Sequence, residues 1–511
     1  MSWDGPQLPS ADADASAQDH LRPLTRKRST AASELPLDSL PAARLPEGTD
    51  PTVQFFWGLL IAHVVLWTLL PILMHHNPSR ETLHLLTLGR QWEWGYHQQP
   101  PLPAWLAIAS CALTGTAVWP TYLLSAVAGA VCLWAAWRMG REFLRPWTAV
   151  CGAIAMEACF YFNYTAPTLT SETLARTFWA LAVLTFYWAI NKNRRTHWVQ
   201  MAVCLGLGLL CRYDTFLLFA ALFAFTLWSD RARRCWDTSR PFLAAGVIAA
   251  VFLPHGWWLT SHVREIGSSM LDYLVATEQV AQTTDRWFIQ LAALIPVLVV
   301  LAPLVNWFNP PEEETDEDRD FMKQYLVWIS ILPPATTIVL AVMNGFHIDA
   351  LWASPLWIYG GVLFLMWSRL EESRFSWRQA LTWTGTASGI IAASLFATYV
   401  LFPPSLEKGQ EVHFPGRSLA AAVNKTWKEK YPDQKLPAVG GPWWLAENAA
   451  WYSSDRPTVY GDLDSRENSV RDKHKLEESG GIVILDATAA PSAAEEQFLT
   501  QLTNPQISLP I

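Results

Sequence analysis

Charge is what this chain has least of. Of its 511 residues only 16% are Asp, Glu, Lys or Arg, while 51% are hydrophobic; soluble domains carry roughly 25% charged residues. That balance excludes an ordinary water-soluble globule and leaves a polytopic membrane protein. Cysteine patterns for metal or redox chemistry are missing as well. The seven cysteines all lie between Cys111 and Cys235, in or beside apolar stretches, without CxxC or ligand spacing, and read as small core residues. A net charge of −8 and the lack of a basic stripe argue against a nucleic-acid partner. The first 30 residues hold neither a basic start nor an early apolar run, so the first apolar span reads as a retained anchor, not a cleaved signal.

Tryptophan, by contrast, is abundant at 29 residues, as expected when many span ends need amphipathic anchors at the headgroup level. Residues 1–50, rich in Ala, Ser, Pro and Asp and carrying Arg26-Lys27-Arg28, read as a disordered cytoplasmic tail. Apolar windows then fall near 53–74, 118–138, 147–164, 174–190, 198–210, 214–228, 241–259, 287–306, 325–343, 350–368 and 379–402, about eleven transmembrane helices in all. The stretch 101–117 is apolar but broken by prolines and Gly115.

Basic residues decide its place. If 101–117 does not cross and the N-terminus is cytoplasmic, the clusters Arg138/Arg141/Arg145, Lys192/Arg194/Arg195, Arg231/Arg233/Arg234/Arg240 and Arg369/Arg374/Arg378 all fall inside, as the positive-inside rule expects. A crossing would move every one of them outside. The stretch is therefore expected to lie as an interfacial or re-entrant helix within a first outer loop, 75–117. Segments 165–173, 211–214, 260–286 and 344–349 join it on the outer side, and the acidic run Glu312 to Asp320 falls inside. After Pro403 hydropathy collapses. Helix-like stretches at 418–430, 444–452, 468–478 and 493–502 alternate with strand-like runs at 438–440, 458–460 and 481–485, which suggests a small α/β domain over 403–511 on the outer face, following the membrane domain 51–402.

The chemistry-bearing residues gather on that outer side. The segment PSRETLHLLTLGRQWEWGYHQQPPLPAW (78–105) sets Arg80, Glu81, His84, Arg90 and Glu93 between two apolar spans, and ionisable groups so placed need water or a protein cavity. Glu81 and His84, three apart, share one face of an amphipathic helix, which is either a solvated face or the wall of a site. Glu172 in TSETLAR is either a first-turn acid favourable to the helix dipole or a second carboxylate of the site. Arg212 and Asp214 in CRYDT form either a local ion pair or a rim that presents a cation to phosphate, for which guanidinium geometry is suited. His255 in LPHGWW, with His262, Arg264 and Glu265 beyond, is a hydrogen-bonded structural histidine or a ligand contact. No cofactor is demanded; a divalent cation between Glu81 and Glu172 is the one such group these residues admit.

The acid after the first span, WEWGY, PPLPAWL, RYDTFLL and FLPHGWWL, and the tail elements VGGPWWLAENAAWY, RPTVYGD and GGIVILD together resemble the family 39 type of glycosyltransferases. Its relatives include the protein O-mannosyltransferases and the aminoarabinose transferase acting on lipid A. The resemblance covers most of 53–486 and implies a C-type glycosyltransferase fold. It also implies inverting transfer of a sugar from a polyprenyl-phosphate donor to a lipid, glycan or protein acceptor at the outer face of the inner (plasma) membrane. On that pattern Glu81 stands at the general base, where relatives carry Asp. His84, Tyr96, His97, Gln99, Arg212, Tyr213, His255 and Arg264 are the implied substrate contacts, and Glu172 a metal or substrate ligand. Gln99 replaces the family's His before Pro-Pro, a donor without charge in place of a cation. The rival readings are a weakened member acting as a scaffold and a transporter; transport predicts midplane charges and repeated halves, and no internal repeat is present.

Overall fold

A computed structural model of the chain describes residues 50–96, 99–275, 295–301, 317–344, 358–367, 411–463 and 480–486, except 113, 116 and 164, with isolated helical positions between 378 and 397 and at 496 and 500. Residues 263–275 and a few other helical positions are described by their backbone alone. The expected tail at 1–49 and the helix-like stretch 468–478 lie outside the described residues, as does nearly all of 493–502.

Along the chain, α1 (Pro51–Met74) is followed by two short helices, α2 (Arg80–Gly89) and α3 (Leu102–Cys111). Next come α4 (Trp119–Gly140), α5 (Pro146–Ile154), α6 (Ser171–Lys192), α7 (Arg195–Leu209), α8 (Thr215–Trp228), α9 (Asp230–Arg233) and α10 (Arg240–Val275). Helices α11 (Ile295–Leu301), α12 (Glu317–Asn344) and α13 (Gly360–Trp367) complete the apolar body. Four helices are long and apolar enough to cross a membrane: α1, α4, α6 and the Arg240–His262 part of α10. A fifth is counted only if α8 and residues Asp230–Asp237, bent by 96°, are taken as one span.

The expected count of about eleven is thus not reproduced among the described residues. The window at 147–164 breaks because α5 gives way to 3₁₀ turns at Ala155–Ala158 and Phe160–Phe162. At 15 and 14 residues, α7 and α8 are shorter than the roughly 20 a span needs. The windows near 287–306, 350–368 and 379–402 fall only partly on described residues. Helix α10 also runs on past residue 259, where the sequence suggested a span would stop. In the stretch 101–117 the helix α3 has ten residues and reaches only about 15 Å, half the thickness of a hydrocarbon core.

Contacts sort the helix ends onto two sides. At one end Arg141 donates to Thr52 Oγ1 at the start of α1 (3.1 Å), Lys192 pairs with Glu142 (3.3 Å), Arg240 donates to Asn193, and Arg231 donates to Asp318 of α12 (2.5 Å). The basic clusters at 138–145, 192–195 and 231–240 thus meet at one end of the body. At the opposite end Leu102 N donates to Leu210 O (3.0 Å) and Thr82 Oγ1 to Leu169 O (3.1 Å), which joins the first loop to the end of α7 and the start of α6. Between the ends, ionisable groups have partners: His63 of α1 pairs with Glu157, and Arg176 of α6 donates to Tyr161 O (2.7 Å). Apolar side chains such as Ile61, Leu69 and Leu73 of α1 face outward instead.

Beyond the body lie α14 (Gly416–Lys430), β1 (Ala438–Gly441), α15 (Trp443–Tyr452), β2 (Thr458–Gly461) and β3 (Ile482–Val483). The three strands form a parallel sheet in the order β2-β1-β3, with Ala438 opposite Thr458 and Val439 opposite Ile482. Helix α15 links β1 to β2, as parallel pairing requires a crossover. All three strands and both helices fall on runs the sequence marked. Val423, Trp427, Val439, Ala446, Ala449 and Val459 form the core of this small layer.

Candidate functional site

Helix α2 begins at Ser79, whose hydroxyl accepts from Thr82 N (3.4 Å). Glu81 is in the first turn, where the helix dipole favours an acid, and its residue is exposed. Protein packed around the carboxyl nevertheless raises its pKa above the ordinary glutamate value by desolvation. The carboxylates of Glu411 and Glu172 push the same way and Arg80 pulls back. Glu81 and Glu172, suggested to belong together, are therefore close enough to influence one another.

Glu172 occupies the first turn of α6, capped by Thr170, whose hydroxyl accepts from Thr173 N (3.0 Å). Arg212, between α7 and α8, donates Nη1 to Glu172 and Nε to Asp214 Oδ2 (2.8 Å). Arg212 and Glu172 keep about a fifth of their side-chain surface in contact with solvent, so a ligand can reach them. Burial raises the Asp214 carboxyl above its usual range against the pull of Arg212. Gln99 joins the same cluster: its Oε1 accepts from Ser171 Oγ (2.8 Å), beside Glu172. Its amide nitrogen has no partner among the described residues, and can donate to a ligand.

The other sequence-marked residues play different parts. Tyr96 is buried, and its N–H donates to Gln99 O (3.1 Å). His255 is fully buried, its Nδ1 2.6 Å from Trp94 O and its Nε2 3.1 Å from Tyr213 OH. His255 thus ties the first loop, through Trp94, and the segment between α7 and α8, through Tyr213, to α10. Gly95 is required at this crossing, because a Cβ there would sit 2.3 Å from the Trp258 ring. His97 lies outside the described residues, and Arg264 is described by its backbone alone.

His84 departs most from expectation. It shares a face with Glu81, yet its Nδ1 lies 2.5 Å from Oε1 of Glu447, a fully buried carboxylate on α15. Thr87 donates to the same oxygen (3.1 Å). Around this contact Arg90 donates to Ala450 O and Trp451 O (both 3.0 Å), Asn77 Nδ2 donates to Asn448 Oδ1 (2.9 Å), and Tyr452 OH donates to Asn77 Oδ1 (2.8 Å). Glu447, Thr87, Ser171 and Asn77 were not singled out from the sequence. The one available signal was an acid and an amide, Glu447-Asn448, set among Ala and Trp in a helix that otherwise reads as apolar.

Of the pair to which a divalent cation was ascribed, Glu81 and Glu172, the second has a cationic partner of its own in this structure. Arg212 already occupies Glu172, and among the described residues no group of three or more His, Cys, Asp or Glu side chains is disposed to hold a metal ion.

Residues 98–258 match the family model described as dolichyl-phosphate-mannose-protein mannosyltransferase. No curated protein sequence matches the chain. Among solved structures, the chain is similar to ArnT from Cupriavidus metallidurans bound to undecaprenyl phosphate, at 12% identity and a TM-score of 0.52, over 88% of this chain and 95% of that one. The apo form of ArnT gives 14% identity and a TM-score of 0.49, over 88% of this chain and 95% of that one. An oligosaccharyltransferase from Archaeoglobus fulgidus gives 12% identity and a TM-score of 0.41, over 79% of this chain and 64% of that one. The loop motifs and the helical body thus agree: this chain has the fold of the C-type glycosyltransferases and carries, over residues 98–258, the sequence pattern of their dolichyl-phosphate-mannose-protein mannosyltransferase family.

Proposed function

We propose that the protein transfers a sugar, with inversion, from a polyprenyl-phosphate donor to a lipid, glycan or protein acceptor at the outer face of the membrane. The observation that carries this reading is the meeting of Glu81, Gln99, Glu172 and Arg212 at one end of a C-type body, the end away from the basic helix termini. Basic termini favour the cytoplasm, so the rim would face outward, with the α/β domain of 403–511 beside it. The undecaprenyl phosphate bound to a structural neighbour supports the donor class.

In this reading Glu81 accepts the proton of an acceptor hydroxyl as its oxygen attacks the anomeric carbon. The bond from that carbon to the phosphate oxygen breaks, and polyprenyl phosphate leaves with the electron pair. A carboxyl whose pKa is raised is a stronger base near neutral pH. Arg212, held in place by Glu172 and Asp214, and the Gln99 amide would neutralise and orient the phosphate. No step needs a covalent nucleophile or a metal.

Mass spectrometry of envelope lipids, glycans and proteins from cells lacking the chain tests the proposal. A hexose or pentose mass increment lost on deletion, restored by the wild type and not by Glu81→Gln, is expected. Full restoration by Glu81→Gln would remove Glu81 from the base role.

A further inference from the structure

Helix α2 spans only ten residues, below the length at which an isolated helix holds together in water. Its direction and rotation are therefore set by what it touches. On one side Thr82 exchanges hydrogen bonds with Leu169, donating to its carbonyl (3.1 Å) and accepting from its amide (3.1 Å). Along its end Gly89 packs so closely on α3 that a Cβ would sit 2.3 Å from Ala104 O. On the face that carries Glu81, one turn further along, His84 and Thr87 both meet Glu447.

Glu447 is 0% exposed, and its second oxygen, Oε2, is buried without a hydrogen-bond partner among the described residues. A contact selected only to hold two domains together would not strand a carboxylate oxygen, because a buried acceptor left unsatisfied costs stability that an apolar pair would keep. What Glu447 provides and an apolar residue would not is a directional hold on a specific turn of α2. The charge it places there is on the turn next to the proposed base.

We infer that Glu447, contributed by the α/β domain, is a positioning residue for the reaction: through His84 and Thr87 it fixes the rotation of α2 and so the aim of Glu81. This rests on the proposed role of Glu81. A displacement of about 1 Å at a reacting group costs on the order of 100-fold in rate, and of the three holds on α2 the one at Glu447 lies on the turn next to Glu81.

The test uses the full-length protein in lipid nanodiscs with three readouts: hydrogen exchange of amides 80–90, binding of undecaprenyl phosphate, and kcat and KM for the sugar transfer identified above. Glu447→Ala is expected to speed exchange across α2 by about tenfold or more and to lower kcat by about 100-fold. Undecaprenyl phosphate binding should stay within about threefold, because Arg212 and Gln99 are held from α6 and not from α15. Glu447→Gln, which keeps the acceptor shape, should lose about tenfold in kcat, and the double variant Glu447→Gln/His84→Gln, a neutral hydrogen-bonded pair, should recover most of it. Wild-type kcat in both single variants overturns the inference. So does a fall in kcat matched by an equal fall in undecaprenyl phosphate binding, which marks general unfolding. If the wild type transfers no sugar, the proposed function fails and exchange decides the clasp by itself: unchanged protection of 80–90 in Glu447→Gln overturns it, and lost protection upholds the hold on α2. Where Glu447→Ala does not fold, Glu447→Gln and the double variant are decisive.

Discussion

Two charged contacts lie within reach of α2, and they differ in their access to water. The rim cluster of Glu172, Arg212 and Asp214 keeps between 13% and 22% of each side chain exposed, whereas Glu447 in the clasp is wholly buried. At the rim one guanidinium serves two carboxylates, so an incoming phosphate can take the place of either. In the clasp one carboxylate oxygen receives both His84 and Thr87, and no ligand has a path to it. Similar residue types thus do separate jobs. The half-open cluster suits exchange with a substrate, and the closed one suits fixing geometry. Glu81 sits between them.

The comparison breaks most readily at Glu81. Glu81→Gln should cut turnover by about 10²–10⁴-fold, the usual worth of a general base, without lowering the melting temperature near neutral pH, since desolvation and neighbouring acids disfavour the ionised carboxyl in the fold. Titration of purified wild type and variant against donor checks both halves.

Next in size is Arg212→Ala, which should weaken undecaprenyl phosphate binding by about 10- to 100-fold, the worth of roughly 1.5–3 kcal/mol for hydrogen bonds to a charged group. It also leaves Glu172 and Asp214 without their cation, so a lower melting temperature should accompany it. Arg212→Lys should recover part of each. An Arg212→Ala protein that binds as tightly as wild type would show that the rim is only an ion pair.

A smaller effect is expected from pH. The carboxyl of Glu81 is raised by burial and neighbouring acids. Its basic form is the active one, so activity should fall on acidification at a pH above that of an ordinary glutamate, and Glu81→Asp should move that limb. A limb in the ordinary carboxylate range would place the working base elsewhere.

Smallest of all, Gln99→His should tighten phosphate binding about fivefold below pH 6.5, where the imidazole carries a proton, and leave it unchanged above. This is the gain expected of roughly 1 kcal/mol between exposed charges a few ångströms apart. Equal binding at both pH values would place residue 99 away from the phosphate.

Local physics made much of this legible in the sequence. Apolar length marked α1, α4 and α6, Glu172 was weighed as a first-turn acid, and alternation of strand-like and helix-like runs marked the βαβ unit. Positive-inside bias grouped the basic helix ends that the contacts then brought together. What stayed hidden depends on pairing across the chain. Helical spacing put His84 on the face of Glu81 but could not supply Glu447, 363 residues away, whose own surroundings look like an ordinary apolar helix. His255 was left between a structural and a ligating role, and its partners Trp94 and Tyr213, 161 and 42 residues away, could not be read from its own surroundings. The break after α5 was hidden because AMEACFYF is apolar but for Glu157, which was the clue.

That break bears on how the protein is held together. Peptide groups that leave helical geometry inside a bilayer must be covered by protein, because lipid offers them no hydrogen bonds. Here one freed carbonyl, Glu157 O, accepts from Asn163 Nδ2 (2.8 Å) within the break itself. Distant parts of the chain pack on its side chains: His63 of α1 reaches Glu157, and the amide of Gly361 reaches Met156 Sδ (3.2 Å) from 205 positions further on. The irregular segment is thus held from both directions of the chain, so a side chain introduced at Gly361 should disturb a break that lies far from it in sequence.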